Sequence, residues 1–211
     1  MIFDYGFTLS SALYFQLAPP SCPDWPDLIQ TLIFRDAAVM DAWFRGVLRL
    51  KDLADRMADA TRLPSSEVLN YLRLGCAQLA LNHAPLALAQ QVRASSLRSA
   101  LVTLNGDIFS DMVVRSQGLD TLFDVIVNSA DVGQCNKAQL WPLVFRALGD
   151  DIGYHNTLLI EDNATQIALF RDLGGVAYQY QGDAALHAWL SGTEATQLLG
   201  KVAGQTISAT P

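Results

Sequence analysis

Short unbroken apolar runs alternate with longer amphipathic stretches along most of this chain. Ile2-Phe3, Leu101-Val102, Val125-Ile126-Val127, Leu158-Leu159-Ile160 and Val176-Ala177 carry no polar residue at every second position. Runs of that kind suit strands buried on both faces. They predict strands over residues 1–9, 99–103, 123–128, 157–160 and 176–179. Helical spacing predicts helices over 86–94, 109–117, 138–148, 165–173 and 184–190. Gly118, Gly149 and Gly174-Gly175 stand where three of these helices should end, as left-handed C-terminal caps favour glycine. Strands alternating with helices imply βαβ units with right-handed crossovers. The expected fold class is therefore α/β, a parallel sheet flanked by helices.

One stretch breaks the alternation. Pro19, Pro20, Pro23 and Pro26 interrupt the chain, and the signal from residue 28 to about 81 is helical throughout. Leu48, Leu50, Leu53, Ala54 and Met57 recur near every 3.6 residues, with Lys51, Asp52, Asp55 and Arg56 opposite. A second helix is expected from residue 68 to about 81, with Ser65 or Ser66 as its N-cap. Residues 13–81 thus read as an all-helical insert, and residues 1–12 with 82–190 as the α/β core. Residues 191–211 are rich in Gly, Thr, Ala and Ser and are expected to lack order.

Composition narrows the function classes. Hydrophobic residues make up 51% of the 211 and charged residues 17%, the balance of a globular protein. The net charge of −7 argues against nucleic acid and against an anionic membrane surface as partners. The insert carries seven basic and eight acidic residues, and the rest of the chain seven and thirteen. The acidic surplus therefore lies where carboxylates can hold a divalent cation. Cys22, Cys76 and Cys135 show no metal-ligand spacing and read as free thiols of a reducing compartment. There is no basic, apolar leader at the first residues and no apolar run of bilayer length. The expectation is a cytoplasmic protein, monomeric or homodimeric.

Three polar positions follow directly on apolar runs, and a fourth opens the helix after another. Asp4 ends the first, Thr103 the second, and Glu161-Asp162 the fourth; Lys137 opens the helix after the third. In a parallel α/β sheet ligands bind beyond the carboxyl ends of the strands, so these residues converge on one rim. Their chemistry is complementary. A carboxylate can attack a phosphoryl group and form an acyl phosphate. Carboxylates also hold Mg²⁺, and a lysine and a hydroxyl can steady the phosphoryl oxygens.

The order Asp4-Tyr5-Gly6-Phe7-Thr8, then Ala100-Leu101-Val102-Thr103, Lys137 and Glu161-Asp162 resembles the haloacid dehalogenase superfamily of aspartyl-nucleophile hydrolases. The resemblance spans about residues 1–190. It implies a Rossmann-like core with the helical insert as its small cap, Mg²⁺ as cofactor and a small phosphorylated molecule as substrate. It implies catalytic roles for Asp4, Thr8, Thr103 and Lys137. Thr103, Leu104, Asn105 and Lys137 would bind substrate. Asp4, Glu161, Asp162 and the backbone carbonyl of Gly6 would hold the metal, with Asp162 the more direct of the acidic pair.

Gly6 departs from the pattern. The superfamily's phosphatases place there a second Asp that protonates the leaving group and then activates water, help worth roughly 10²–10⁴ in rate. Three readings follow: a phosphatase of reduced activity, a protein that binds a phosphorylated ligand or a partner without turnover, or a carbon–halogen or carbon–phosphorus hydrolase. The phosphonate hydrolases add a Schiff-base lysine from the cap, and Lys51 is the only lysine of the insert. Its neighbours, however, mark it as part of a solvated face. Asn105 and Asp107 fit loop-forming duty. His83, His155 and His187 lack catalytic partners. Trp25, Phe34, Trp43, Phe44 and Tyr71 read as the insert's core, with one or two facing substrate.

Overall fold

The structure, a computed structural model, describes residues 1–77 and 79–202. Five strands, β1 (Ile2–Phe3), β2 (Ala100–Thr103), β3 (Val125–Asn128), β4 (Leu158–Glu161) and β5 (Val176–Gln179), form one sheet in the order β3-β2-β1-β4-β5. Every neighbouring pair is parallel. This is the α/β, Rossmann-like architecture expected from the alternation of apolar runs and helices. Successive side chains divide between two apolar layers. Phe3, Leu101, Leu158 and Ile160 face one core cluster, and Ile2, Ala100, Val102 and Leu159 the other. Both faces are covered, so the strands are apolar without a break.

Between β1 and β2 lie α1 (Trp25–Ile29), continued by a π-helical turn over Gln30–Phe34, then α2 (Ala37–Phe44), α3 (Leu50–Thr61), α4 (Ser65–Leu74) and α5 (His83–Arg93). Between β2 and β3, a π-helical turn over Phe109–Val113 leads into α6 (Val114–Ser116) and then α7 (Leu119–Leu122). The second half adds α8 (Ser129–Val132), α9 (Lys137–Leu148), α10 (Ala164–Asp172), α11 (Asp183–Leu190) and α12 (Thr193–Val202). No helix among the described residues is long and apolar enough to cross a membrane. All three cysteines are free thiols.

Local corrections have local causes. The first strand ends at Phe3 rather than reaching residue 9. Tyr5 to Ser10 instead closes a tight loop, in which Phe7 N donates to Ser10 O and Ser10 N to Tyr5 O. Phe7 adopts φ 55°, which apolar content alone does not announce. Helix α4 stops at Leu74, well before residue 81, because the chain turns at Gly75, where it passes against Phe15. Neither serine caps α4. Pro64 occupies the N-cap, and Ser65 Oγ donates to the Asp55 carboxylate instead. The segment expected to be unordered carries α12, whose Ala195 is fully buried. Small residues suffice there because the helix lies close on α11. Residues 203–211 of that segment lie outside the described residues.

A buried polar cluster ties the insert to the loop after β2. Asp107, in the loop after β2, is buried and accepts from Trp43 Nε1 at 2.9 Å and from Leu50 N at 3.0 Å. Arg49 Nε pairs with its other oxygen at 3.0 Å. Gly106 makes the approach possible, since a β-carbon there would stand 2.0 Å from Trp43 Cε2. The loop duty expected of Asp107 is thus specific: it fixes the start of α3 and the end of α2 over the carboxyl rim of the sheet.

Candidate active site

The strand order places β1 and β4 side by side while the chain runs outward from them in opposite directions. The crevice beyond their carboxyl ends is a topological switch point. Asp4 follows β1 by one residue, and its N–H donates to Ile160 O at 3.0 Å, which holds it level with the end of β4. Glu161 ends β4 and Asp162 follows. Carboxylate oxygens of Asp4, Glu161 and Asp162 lie within 4.8 Å of one another. Lys137 enters from the first turn of α9, set by Asn136, whose side chain accepts from Ala138 N at 3.0 Å. Its ammonium donates to Asp4 Oδ1 at 2.7 Å and to Glu161 Oε2.

The two members of the acidic pair differ. Glu161 is buried with both oxygens in use, one by Lys137 and the other by Asn163 N at 3.1 Å. Asp162 is half-buried, and its side chain accepts only from Thr8 Oγ1, at 3.5 Å. Asp162 and Asp4 therefore have the freer lone pairs for a cation, while Glu161 fixes Lys137. Three carboxylates at one rim with a single lysine among them match the oxygen-rich donor set that Mg²⁺ takes.

Burial sets the proton affinities. Asp4 is pushed up to about 7 by desolvation, against the pull of Lys137 and with a push from Glu161. Asp162 is raised to about 6 by desolvation and by Glu161. For Lys137, burial lowers the affinity, but the charges of Asp4 and Glu161 outweigh it and the net shift is upward. Lys137→Met is expected to destabilise the fold by about 3–5 kcal/mol, because Asp4 and Glu161 lose their buried counter-charge. Urea unfolding checks this, and a loss under about 1 kcal/mol would mean that the lysine is not an obligatory partner.

The raised carboxyls also fix a pH dependence. Both hold their protons more tightly in the folded than in the unfolded chain. Their contribution to stability is therefore greatest at acid pH and is lost as pH climbs from about 4 through the folded values of about 6 and 7. Without divalent cations, Asp162→Asn should raise the melting temperature more at about pH 8 than at about pH 5. The comparison with the variant cancels other groups, such as the Met1 amino group, which burial lowers to about 6. Equal shifts at both pH values would contradict it.

A cavity of about 530 Å³ lies above this rim and under the insert. Asp4, Gly6, Thr103, Leu104, Asn105, Lys137, Glu161 and Asp162 all line it. Thr8 does not. It is fully buried behind Asp162, where it is placed to orient that carboxylate. Among the insert aromatics, Phe34, Trp43 and Phe44 line the cavity, and Trp25 and Tyr71 do not. Lys51 lies apart. It is exposed, pairs with Asp55 at 3.5 Å and lines a separate groove of about 390 Å³. Lys51 therefore does not line the cavity that holds Asp4.

Sequence reasoning missed several positioning residues. Ser129 Oγ accepts from Asn105 N at 2.9 Å and donates to Asn105 O at 3.1 Å, and Asn128 Nδ2 donates to Gly106 O at 3.1 Å. These bonds shape the loop after Thr103 that carries Asn105. The signal was present, since Asn128-Ser129 also follows directly on a strand end. Gln30, Met40 and Gln166 line the cavity from helical segments without any local mark in the sequence.

No family model matches the chain, and no curated protein sequence matches it. Solved structures do. A haloacid dehalogenase (HAD) family enzyme from Bacteroides thetaiotaomicron, in complex with magnesium and inorganic phosphate, is 13% identical with a TM-score of 0.59, over 86% of this chain and 93% of that one. A protein from Porphyromonas gingivalis described as a predicted HAD-like family hydrolase is 16% identical with a TM-score of 0.63, over 91% and 97%. L-2-haloacid dehalogenase from Xanthobacter autotrophicus is 16% identical with a TM-score of 0.58, over 94% and 85%. The chain thus has the haloacid dehalogenase fold over nearly its whole length.

Proposed function

We propose that this protein is a Mg²⁺-dependent hydrolase of a small phosphorylated molecule, acting through an aspartyl phosphate on Asp4. The observation that carries the reading is the clustering of Asp4, Glu161 and Asp162 within 4.8 Å, with Lys137 bonded to Asp4, on the floor of a cavity large enough for a metabolite. Asp4 and Asp162, with Glu161 close by, would hold the cation. When bound, it screens the carboxylates from the phosphoryl oxygens and stabilises charge in transfer.

The chain's own groups divide the work. A carboxylate oxygen of Asp4 attacks phosphorus, and the leaving oxygen departs with its bonding pair. Lys137 and Thr103 hold phosphoryl oxygens, and Asn105, in the loop that follows Thr103, lines the same cavity. Water then attacks phosphorus and the Asp4 carboxylate is released. Thr8 and Glu161 act as positioning residues, on Asp162 and Lys137 respectively. Residues 13–81 serve as a helical cap over a core of residues 1–12 and 82–190, shielding the reaction from bulk water. A cytoplasmic location suits the three free thiols.

Carbon–halogen hydrolysis is the second reading. Gly6 and the apolar cavity wall favour it, and the three-carboxylate cluster, which such a reaction does not need, counts against it. Phosphate release from an aryl phosphate, with Mg²⁺ and then with EDTA, tests the choice. The proposal expects release that depends on Mg²⁺. Release unaffected by EDTA, or chloride release from a 2-chloroacid without phosphatase activity, would overturn it.

A further inference from the structure

We infer that the substrate carries its phosphoryl group on an acidic, uncharged, apolar leaving group, as in an aryl phosphate, and that the aspartyl phosphate accumulates during turnover. The inference rests on the phosphatase reading above and adds the class of molecule. Two independent observations carry it.

The first concerns protons. A β-carbon at Gly6 would meet no heavy atom within 4 Å, so no other side chain has moved into the place beside Asp4. Among the described residues lining the cavity there is no histidine and no cysteine, and the only carboxyls are Asp4, Glu161 and Asp162. Lys137 is bound to two of those. The Tyr5 hydroxyl is spent on Gln117 Oε1 at 3.0 Å. The Tyr14 hydroxyl is buried without a hydrogen-bond partner among the described residues, and burial pushes its proton affinity well above that of a free phenol, which makes it a weak acid. Beyond the carboxylate cluster itself, the described lining holds no carboxyl, imidazole or thiol to protonate a departing alkoxide. The leaving oxygen must therefore depart as a stable anion, keeping the electron pair of the P–O bond without taking up a proton. The same vacancy bears on the second half-reaction. Water must form its bond to phosphorus and lose its proton to solvent or to the phosphate itself, with no base to accept it. That step becomes the slow one.

The second concerns the walls. Beyond the phosphoryl rim the cavity is bounded by Leu13, Phe34, Met40, Trp43 and Phe44, with amides such as Gln30 and Gln166 as the polar groups. Lys137 is the only cation in the lining, and it lies at the floor. Nothing there would recognise a second phosphate, a carboxylate or an ammonium on the leaving group. At the mouth, Phe7 is held at φ 55° with 58% of its surface exposed, and Leu13 is 49% exposed. A large apolar side chain kept in water in a left-handed conformation is costly, and an apolar ligand would cover it.

The test is a series of phosphate monoesters on the wild-type protein with Mg²⁺, using Asp4→Asn to define background. Uncharged phenols of falling acidity should lose kcat/KM by roughly tenfold per unit of leaving-group pKa. Phenols matched in pKa but bearing a carboxylate should fall well below their neutral counterparts, and alkyl phosphates should be the slowest of the series. Rapid quench should show a burst of phenol followed by a slower steady state that is the same for every good substrate. Flat dependence on pKa, equal rates for charged and neutral phenols, or no burst would overturn the inference while leaving an Asp4-dependent phosphatase standing. Absence of any Asp4-dependent release would overturn both.

Discussion

An Asp4→Asn variant is expected to lose phosphatase activity by at least about 10⁴-fold in kcat, the scale seen when a covalent nucleophile is removed. The argument is geometric. Asp4 is buried at the switch point between β1 and β4, bonded to Lys137, and the only carboxylate of the rim that directly follows β1. Asparagine keeps the volume and one acceptor for Lys137, and it removes the buried negative charge whose proton affinity burial raises to about 7. The fold should survive, with a melting temperature equal to or above that of the wild type near neutral pH. Steady-state assays with a thermal melt on the same preparation separate loss of chemistry from loss of structure. Retention of more than about one-tenth of the activity by the folded variant would remove Asp4 from the reaction.

A Gly6→Asp variant is expected to gain. The site beside Asp4 is open, and the Gly6 backbone does not lie in the left-handed region, so a side chain there is unstrained. Gly6 lines the cavity with Asp4. A carboxyl group added at that position supplies both missing functions, protonation of the leaving group and deprotonation of water. An increase of about 10²–10⁴ in kcat/KM is expected for alkyl phosphates, whose leaving groups need the proton most. For good leaving groups kcat should rise and the burst should vanish, because the second step is no longer slow. A fourth carboxylate in the cluster also raises the electrostatic cost of the metal-free fold, so this variant should melt lower without Mg²⁺ and recover more with it. A folded, Mg²⁺-binding variant with no gain on any substrate would mean that the bare glycine is not what limits turnover.

How much of this was legible in the sequence differs by element. The parallel sheet was readable because strands buried on two faces leave unbroken apolar runs. The meeting of Asp4, Thr103, Lys137 and Glu161-Asp162 followed from their positions after those runs, since strand ends of a parallel sheet share one rim. What stayed hidden depends on contacts distant in the chain. Asp107 read as an ordinary loop residue, and its bonds to Trp43 and Leu50 span 64 and 57 positions. The division of labour between Glu161 and Asp162 was not written in two adjacent acids. It arises because Lys137 and Asn163 N occupy one of them. Thr8, read among the catalytic residues, sits behind Asp162 and outside the cavity lining, because the Tyr5–Ser10 turn directs it there. Lys51 shows the converse, where its amphipathic setting correctly marked a solvated face.

The most direct measurement is the mass of the protein quenched in acid while it turns over an aryl phosphate with Mg²⁺, followed by peptide mapping. The account predicts one added phosphoryl group, confined to the peptide that contains residue 4, lost on treatment with hydroxylamine and missing from Asp4→Asn. Product formation with no phosphorylated protein, or a phosphoryl group on any other residue, would contradict it.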